Sequence, residues 1–339
     1  MFEAKSWPLG VILNSKEAEA FRRLRVEPSE KLVQANREAM TQSVERLARE
    51  RRVRRMENTA RLEPVYEELR KVLRSSPQTA GVVKAMQSMR EFKRIDRKPP
   101  TLPSTPTLPS LSHNPFAPKK SRLRLGSYEF VFAPPFQTLY WQTSEGPSQL
   151  APTVNGATGE MSVGAFPGED ASGNVGSAHC SCTAALGVYF TVPEAAKMMI
   201  FLAEPLIYFS DWWLSFGFRE AAGEVTLTQS VNVFTPSIQF IANPIYDTHK
   251  LDSFDDRNLS DSSQNSGFNP AYTLSDSLLV GGPEDTSIAG DVIAYYCAIS
   301  CSGNADTVGQ AGVDYSFASM YAYAKLSTFA VFIGTQLPF

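Results

Sequence analysis

Seven prolines fall within residues 98–121, KPPTLPSTPTLPSLSHNPFAPKKS, and this segment divides the chain into two parts of opposite charge. Residues 1–125 hold 27 of the 32 Lys and Arg residues and 14 of the 35 Asp and Glu residues, which makes this part +13 and the remainder −16. An asymmetry of that size points to two units with separate partners. A proline-rich run with TLPS repeated at a spacing of six forms polyproline II or stays irregular, so it reads as a semi-rigid spacer. The expected organisation is a basic helical region over 1–97, a Pro-rich linker over 98–122 and an acidic β-domain over 123–339.

The first part has helical punctuation. Ser15 opens one helical stretch, and Pro28-Ser29-Glu30 closes it and starts the next, with Ser29 as N-cap. From Glu30 to Arg61 there is no Gly or Pro, and Val33, Met40, Val44, Leu47, Met56 and Ala60 form a thin apolar stripe. Pro64 is expected to kink this helix or to open a new one. Val65, Leu69, Val72 and Leu73 share one face, and Ser76-Pro77 restarts a helix carrying Val82, Val83, Met86, Met89 and Phe92. The pattern suits a helical hairpin or small bundle, and the stripes are narrow enough to call for a partner chain.

The second part is poor in charge and rich in Ser, Thr, Gly, Phe and Tyr. Tyr128–Phe132, Ala178–Thr191 and Val225–Phe234 read as strands, the last alternating strictly, and turn signals recur every 8–15 residues. Eight to ten strands without intervening amphipathic helices imply an antiparallel β-sandwich of jelly-roll or immunoglobulin-like type, with a closed barrel as the alternative. Residues 247–269, DTHKLDSFDDRNLSDSSQNSGFN, read as a long polar insertion outside the sheets. A basic segment preceding a jelly roll resembles viral coat proteins in layout, which implies a coat or particle component with its basic part facing nucleic acid.

Four candidate sites emerge. Arg51, Arg52, Arg54 and Arg55 sit among further arginines dense enough for polyanion contact. Glu45, Glu50 and Glu57 are interleaved with them, and no aromatic accompanies them for base stacking. Cys180, Cys182, Cys297 and Cys301 lie close in pairs, but their spacing on strands is poor metal geometry, so buried free thiols are expected. The aspartates at 247, 252, 255, 256 and 261 lack the glycine and closing glutamate of a calcium loop. Tyr208, Trp212 and Trp213 belong to an aromatic stretch in which adjacent tryptophans point to opposite sheet faces, so one is expected in the core and one on a contact surface for sugar or protein.

No nucleophile elbow, phosphate loop or metalloprotease helix occurs, and the three histidines are scattered. No cofactor or metal is expected. The start lacks a signal-peptide pattern and no segment is long enough to span a bilayer, so the chain reads as cytoplasmic when made, with signal-independent export still open. The function expected is a non-enzymatic binding or structural protein, partnered by copies of itself, another protein or a glycan. A nucleic-acid-facing coat component and a glycan-active hydrolase with a carboxylate pair are the alternatives.

Overall fold

The computed structural model describes residues 25–75, 127–146, 148–167, 178–257, 260–269, 272–280, 288–305 and 315–334. The linker, the restarted helix after Ser76 and the first 24 residues lie outside them, as do Glu169 and Asp170.

One helix, α1 (Glu30–Ser75), begins where the sequence places its cap: the Leu32 amide donates to Ser29 Oγ at 3.3 Å. It runs without interruption through Pro64, so of the two expectations, a kink or a new helix, no new helix opens there. The missing amide costs one rung of the ladder, which continuous residues on both sides tolerate.

Fifteen strands follow among the described residues. They are β1 (Ser127–Phe132), β2 (Gln137–Glu145), β3 (Ser148–Leu150), β4 (Thr153–Asn155), β5 (Glu160–Pro167), β6 (Ala178–Thr191), β7 (Met198–Ala203) and β8 (Leu206–Phe216). The rest are β9 (Ala221–Phe234), β10 (Phe240–Asp256), β11 (Ser260–Asn269), β12 (Leu274–Leu279), β13 (Val292–Ala305), β14 (Tyr315–Lys325) and β15 (Phe329–Gly334). They form three antiparallel sheets. The first has the order β10-β9-β13-β6-β2, the second β1-β15-β7-β12, and the third β11-β8-β14-β5-β3 with β4 also on β5.

The arrangement is sandwich-like. The first sheet is one layer, and the second and third together make the opposing layer. Phe190 and Tyr295 of the first sheet pack on Phe201 and Phe329 of the second. Cys182 and Cys301 point their sulfurs at the Gly164 and Val163 carbonyls of the third. Glu204-Pro205 is where the chain leaves the second sheet for the third, and Leu326 marks the return.

The supposed polar insertion is in fact two strands. β10 closes one edge of the first sheet and β11 one edge of the third, so this stretch carries the chain between layers. Its composition misleads because edge strands are half solvated and tolerate polar residues on both faces.

β6 and β13 are buried on both faces because α1 covers the outer face of the first sheet. Leu32 and Met40 pack there with Leu139, Ala185, Tyr189, Phe234, Ala294 and Tyr296. Gly187 makes room for the Tyr296 ring on the neighbouring strand; an added Cβ would lie 2.5 Å from it.

Helix and sheet run lengthwise together. From Asn36 to Glu63 α1 advances about 40 Å at 1.5 Å per residue. From Asn232 to Glu220 the sheet advances about 40 Å at 3.3 Å per residue. The two ends match. Asn232 donates to Asn36 Oδ1 at 2.6 Å, and Arg257 bridges Glu63 at 3.3 Å and Glu220 at 3.0 Å. Tyr66 stacks on Phe218 at 5.8 Å under the Arg257 guanidinium. The helix is a strut fixed at both ends of the sheet.

Candidate functional site

Around and beyond Tyr66 the helix presents Leu62, Val65, Leu69 and Val72, all exposed. Their spacing of three and four residues is that of a coiled-coil seam. At 100° per residue they continue roughly the side on which Leu32 and Met40 are buried. An apolar stripe thus passes from covered to uncovered along one helix. Lys71 and Glu68 pair beside it at 2.6 Å. Arg51, Arg52, Arg54 and Arg55 fall on the span of α1 between its two anchors; their side chains lie outside the described residues.

The anchor at the start of the strut is polar as well as apolar. Asn36 and Asn232 are fully buried, and Asn243 donates to Asn232 Oδ1 at 2.6 Å and to Ser230 Oγ at 3.2 Å. Asn36 also meets the hydroxyls of Tyr189 and Tyr296, which bond each other at 3.0 Å. Burial pushes the Tyr189 hydroxyl up to about 12, so this cluster stays uncharged. A buried network of this kind fixes register, because any shift strands its donors.

The third sheet carries an aromatic outer face. Strand alternation sends Ile207, Phe209 and Trp213 inward and Tyr208 and Trp212 outward. Trp213 is 7% exposed and stacks on Phe254 at 5.8 Å. Trp212 is half-buried against Phe317, ring centres 4.6 Å apart. Tyr208 lies in a cross-strand row with Phe268 on β11 and Tyr323 on β14, and the row continues to Ser162 and Thr153, joined at 2.6 Å. Phe268 is exposed, and Tyr208, Tyr321 and Tyr323 are half-buried.

Glu160 sits at one end of this row, 3.0 Å from Lys325. Burial, together with the Glu160 charge and a hydrogen bond to it, pushes the Tyr323 hydroxyl up to about 12. The face therefore offers flat rings, a neutral Tyr323 hydroxyl and one ion pair at its rim.

Sequence reasoning singled out Tyr208 here and missed Tyr321, Tyr323 and Phe268. The alternation in Ser319–Lys325, SMYAYAK, carries the signal for the tyrosines, whereas Phe268 was hidden in the stretch read as an insertion.

All four cysteines are buried free thiols. Burial pushes Cys180, Cys182 and Cys297 up to about 12 and raises Cys301 well above its ordinary value. Cys182 and Cys301 face each other across β6 and β13. The five aspartates of the former insertion lie along β10 and β11; Asp247 pairs with His249 at 2.8 Å, and burial with Asp261 and Asp255 raises the Asp256 carboxyl. Among the described residues no group of three or more His, Cys, Asp or Glu is placed to hold a metal ion. No helix among them is long and apolar enough to cross a membrane.

No protein-family model matches the chain, and no curated protein is significantly similar to it. Among solved structures, it is similar to the TmCBM61 module described in complex with β-1,4-galactotriose, at 10% identity over 57% of this chain and 86% of that one, with a TM-score of 0.15. A structure of carbohydrate-binding modules from the β-sandwich superfamily aligns at 12% identity, over 60% of this chain and 56% of that one, with a TM-score of 0.14. The enzymatically active domain of bacteriophage CBA120 tailspike protein 4 aligns at 12% identity over 56% of this chain and 19% of that one, with a TM-score of 0.13. At these scores the likenesses carry no argument about ligand or activity.

Proposed function

We propose that this protein is a non-enzymatic assembly module, in which a β-sandwich is carried on a helical strut that pairs with the strut of a second copy. The observation that carries the reading is the exposed seam of Leu62, Val65, Leu69 and Val72 on a helix whose first turns are already packed on the sheet. Removing such a row from water is favourable at roughly 25 cal/mol per Å². A second copy is the matching occupant because an a/d seam is self-complementary about a two-fold axis.

Light scattering of the full chain across a concentration series tests this. The wild type should show at least the mass of a dimer, and the double variant Leu62→Lys, Leu69→Lys the mass of a monomer with an unchanged far-ultraviolet spectrum. A wild type that stays monomeric at high concentration removes the proposal.

One observation favours recognition of a glycan as a second reading: the row of Phe268, Tyr208 and Tyr323 on an open sheet face, with serine and threonine hydroxyls beside it. Rings in such a row stack on the apolar faces of pyranoses while the hydroxyls bond their edges. Affinity electrophoresis through gels holding galactan, mannan or xylan should retard the wild type and not Tyr208→Ala. Equal mobility in every gel would sink this reading.

A further inference from the structure

Two carboxyl groups meet in the interior, and among the described residues no cation balances them. Asp211 on β8 is 5% exposed, and its carboxyl lies at hydrogen-bonding range of Asp252 on β10. Both point between the layers: Asp211 shares the inward side of β8 with Phe209 and Trp213, and Asp252 stands opposite the core residue Val225. Oδ1 of Asp211 and Oδ2 of Asp252 are buried without a hydrogen-bond donor.

Among the described residues, the neighbours that share this face are neutral: Met320 on β14, Val225 on β9, Phe254 on β10 and, exposed on the edge strand β11, Asn265, besides the two aromatics of β8. Lys250 and Glu224, which pair at 3.8 Å, lie on the opposite face of the first sheet. Two facing carboxylates are two acceptors, and they form a bond only when one of them carries a proton. Like charges this close and this dry cannot both ionise without a large penalty.

We infer that Asp211 and Asp252 share one proton, and that this bond is a pH-sensitive joint closing the third sheet onto the edge of the first. Its position gives it leverage. β10 and β11 are consecutive strands on the edges of opposing layers, and the pair sits just inside the crossover between them.

The direction of the effect follows from linkage. Burial first, then the bond to Asp252 and its charge, raise the Asp211 carboxyl to about 7. The unfolded chain would release that proton near pH 4. The folded state therefore binds the extra proton between these limits. The joint is at full strength below about pH 4, weakens as pH rises toward 7, and contributes nothing above that.

The experiment is thermal melting of the full chain at pH 5, 6, 7, 8 and 9, for the wild type, Asp211→Asn and Asp252→Asn. An asparagine keeps the shape and supplies a donor without needing a proton. The wild type should lose melting temperature from pH 5 to 7 and then level off, and either variant should lose less over the same interval. Hydrogen exchange should localise the wild-type change to β10 and β11, with at least threefold faster exchange at pH 8 than the intrinsic pH effect predicts. Either variant alone suffices if the other fails to fold. Parallel pH profiles for wild type and variant overturn the inference. So does a wild type that millimolar calcium stabilises at pH 8 while leaving the variants unmoved, since the pair would then hold a metal ion.

Discussion

The two ends of α1 come from one helix with one apolar side, and they meet opposite fates. At the start, Leu32 and Met40 are buried on the first sheet and Asn36 is locked into an asparagine network. Near the other end, Leu62, Val65, Leu69 and Val72 face outward. Helical propensity and periodicity do not differ enough to explain this. The sheet covers this side of the helix along Leu32 and Met40, whereas at the far anchor the helix is held through Glu63 and Tyr66 and leaves Leu62 and Val65 uncovered. Burial is thus a property of the pair of surfaces, and an amphipathic stripe by itself only offers one of them.

The comparison can be broken at either end. The largest effect is expected at Met40, 1% exposed: Met40→Ala should cost about 2–5 kcal/mol in urea denaturation. A loss near that of a surface substitution would mean that the start of the helix does not depend on the sheet. Next comes Asn36→Ala, which leaves the Asn232 amide buried without its acceptor and should cost about 1–3 kcal/mol. Pairing it with Asn232→Ala should restore part of that loss, and simple additivity would show the two do not act together.

Smaller still is Glu63→Gln, at the far anchor. Its side chain is one-third exposed and Arg257 keeps Glu220, so about 0–1 kcal/mol is expected from the same denaturation curves. The smallest effect on unfolding belongs to Val72→Ser, within about 0.5 kcal/mol for an exposed site. The same substitution should weaken self-association measured by light scattering. A variant that unfolds earlier yet associates normally would reverse the roles assigned to the two ends.

The charge asymmetry also reads differently beside the structure. The arginine-rich span of α1 lies between two anchors on the acidic part of the chain, and the ion pairs at the far anchor join Glu63 of the basic half to Arg257 in the acidic half. The helix of the basic half is thus packed on the β-sheets of the same chain, by contacts that net charge could not name.

Some features were legible in the residues. Ser29 caps the helix because its hydroxyl reaches the Leu32 amide, a purely local relation. The strands β6 and β9 follow from continuous or alternating apolar runs, and the inward and outward split of Trp213 and Trp212 follows from strand pleating. Pro64 opens no new helix, because one lost rung of the ladder is a local penalty that the turns on either side absorb. β10 and β11 were missed because their polar side chains suit an edge, and being an edge is a fact about neighbours.

The sequence by itself determined the β-rich class of the second part, the capped helix and the four thiol positions, since these depend on nearest neighbours and on a period of two or nearly four. Only the tertiary structure decided that Asn36 would meet Asn232, that Tyr208 would line up with Phe268 and Tyr323, and that Asp211 would face Asp252. Those contacts join residues distant along the chain. Their partners are selected by which strands lie side by side and which layers close, a choice made by the packing of the whole chain.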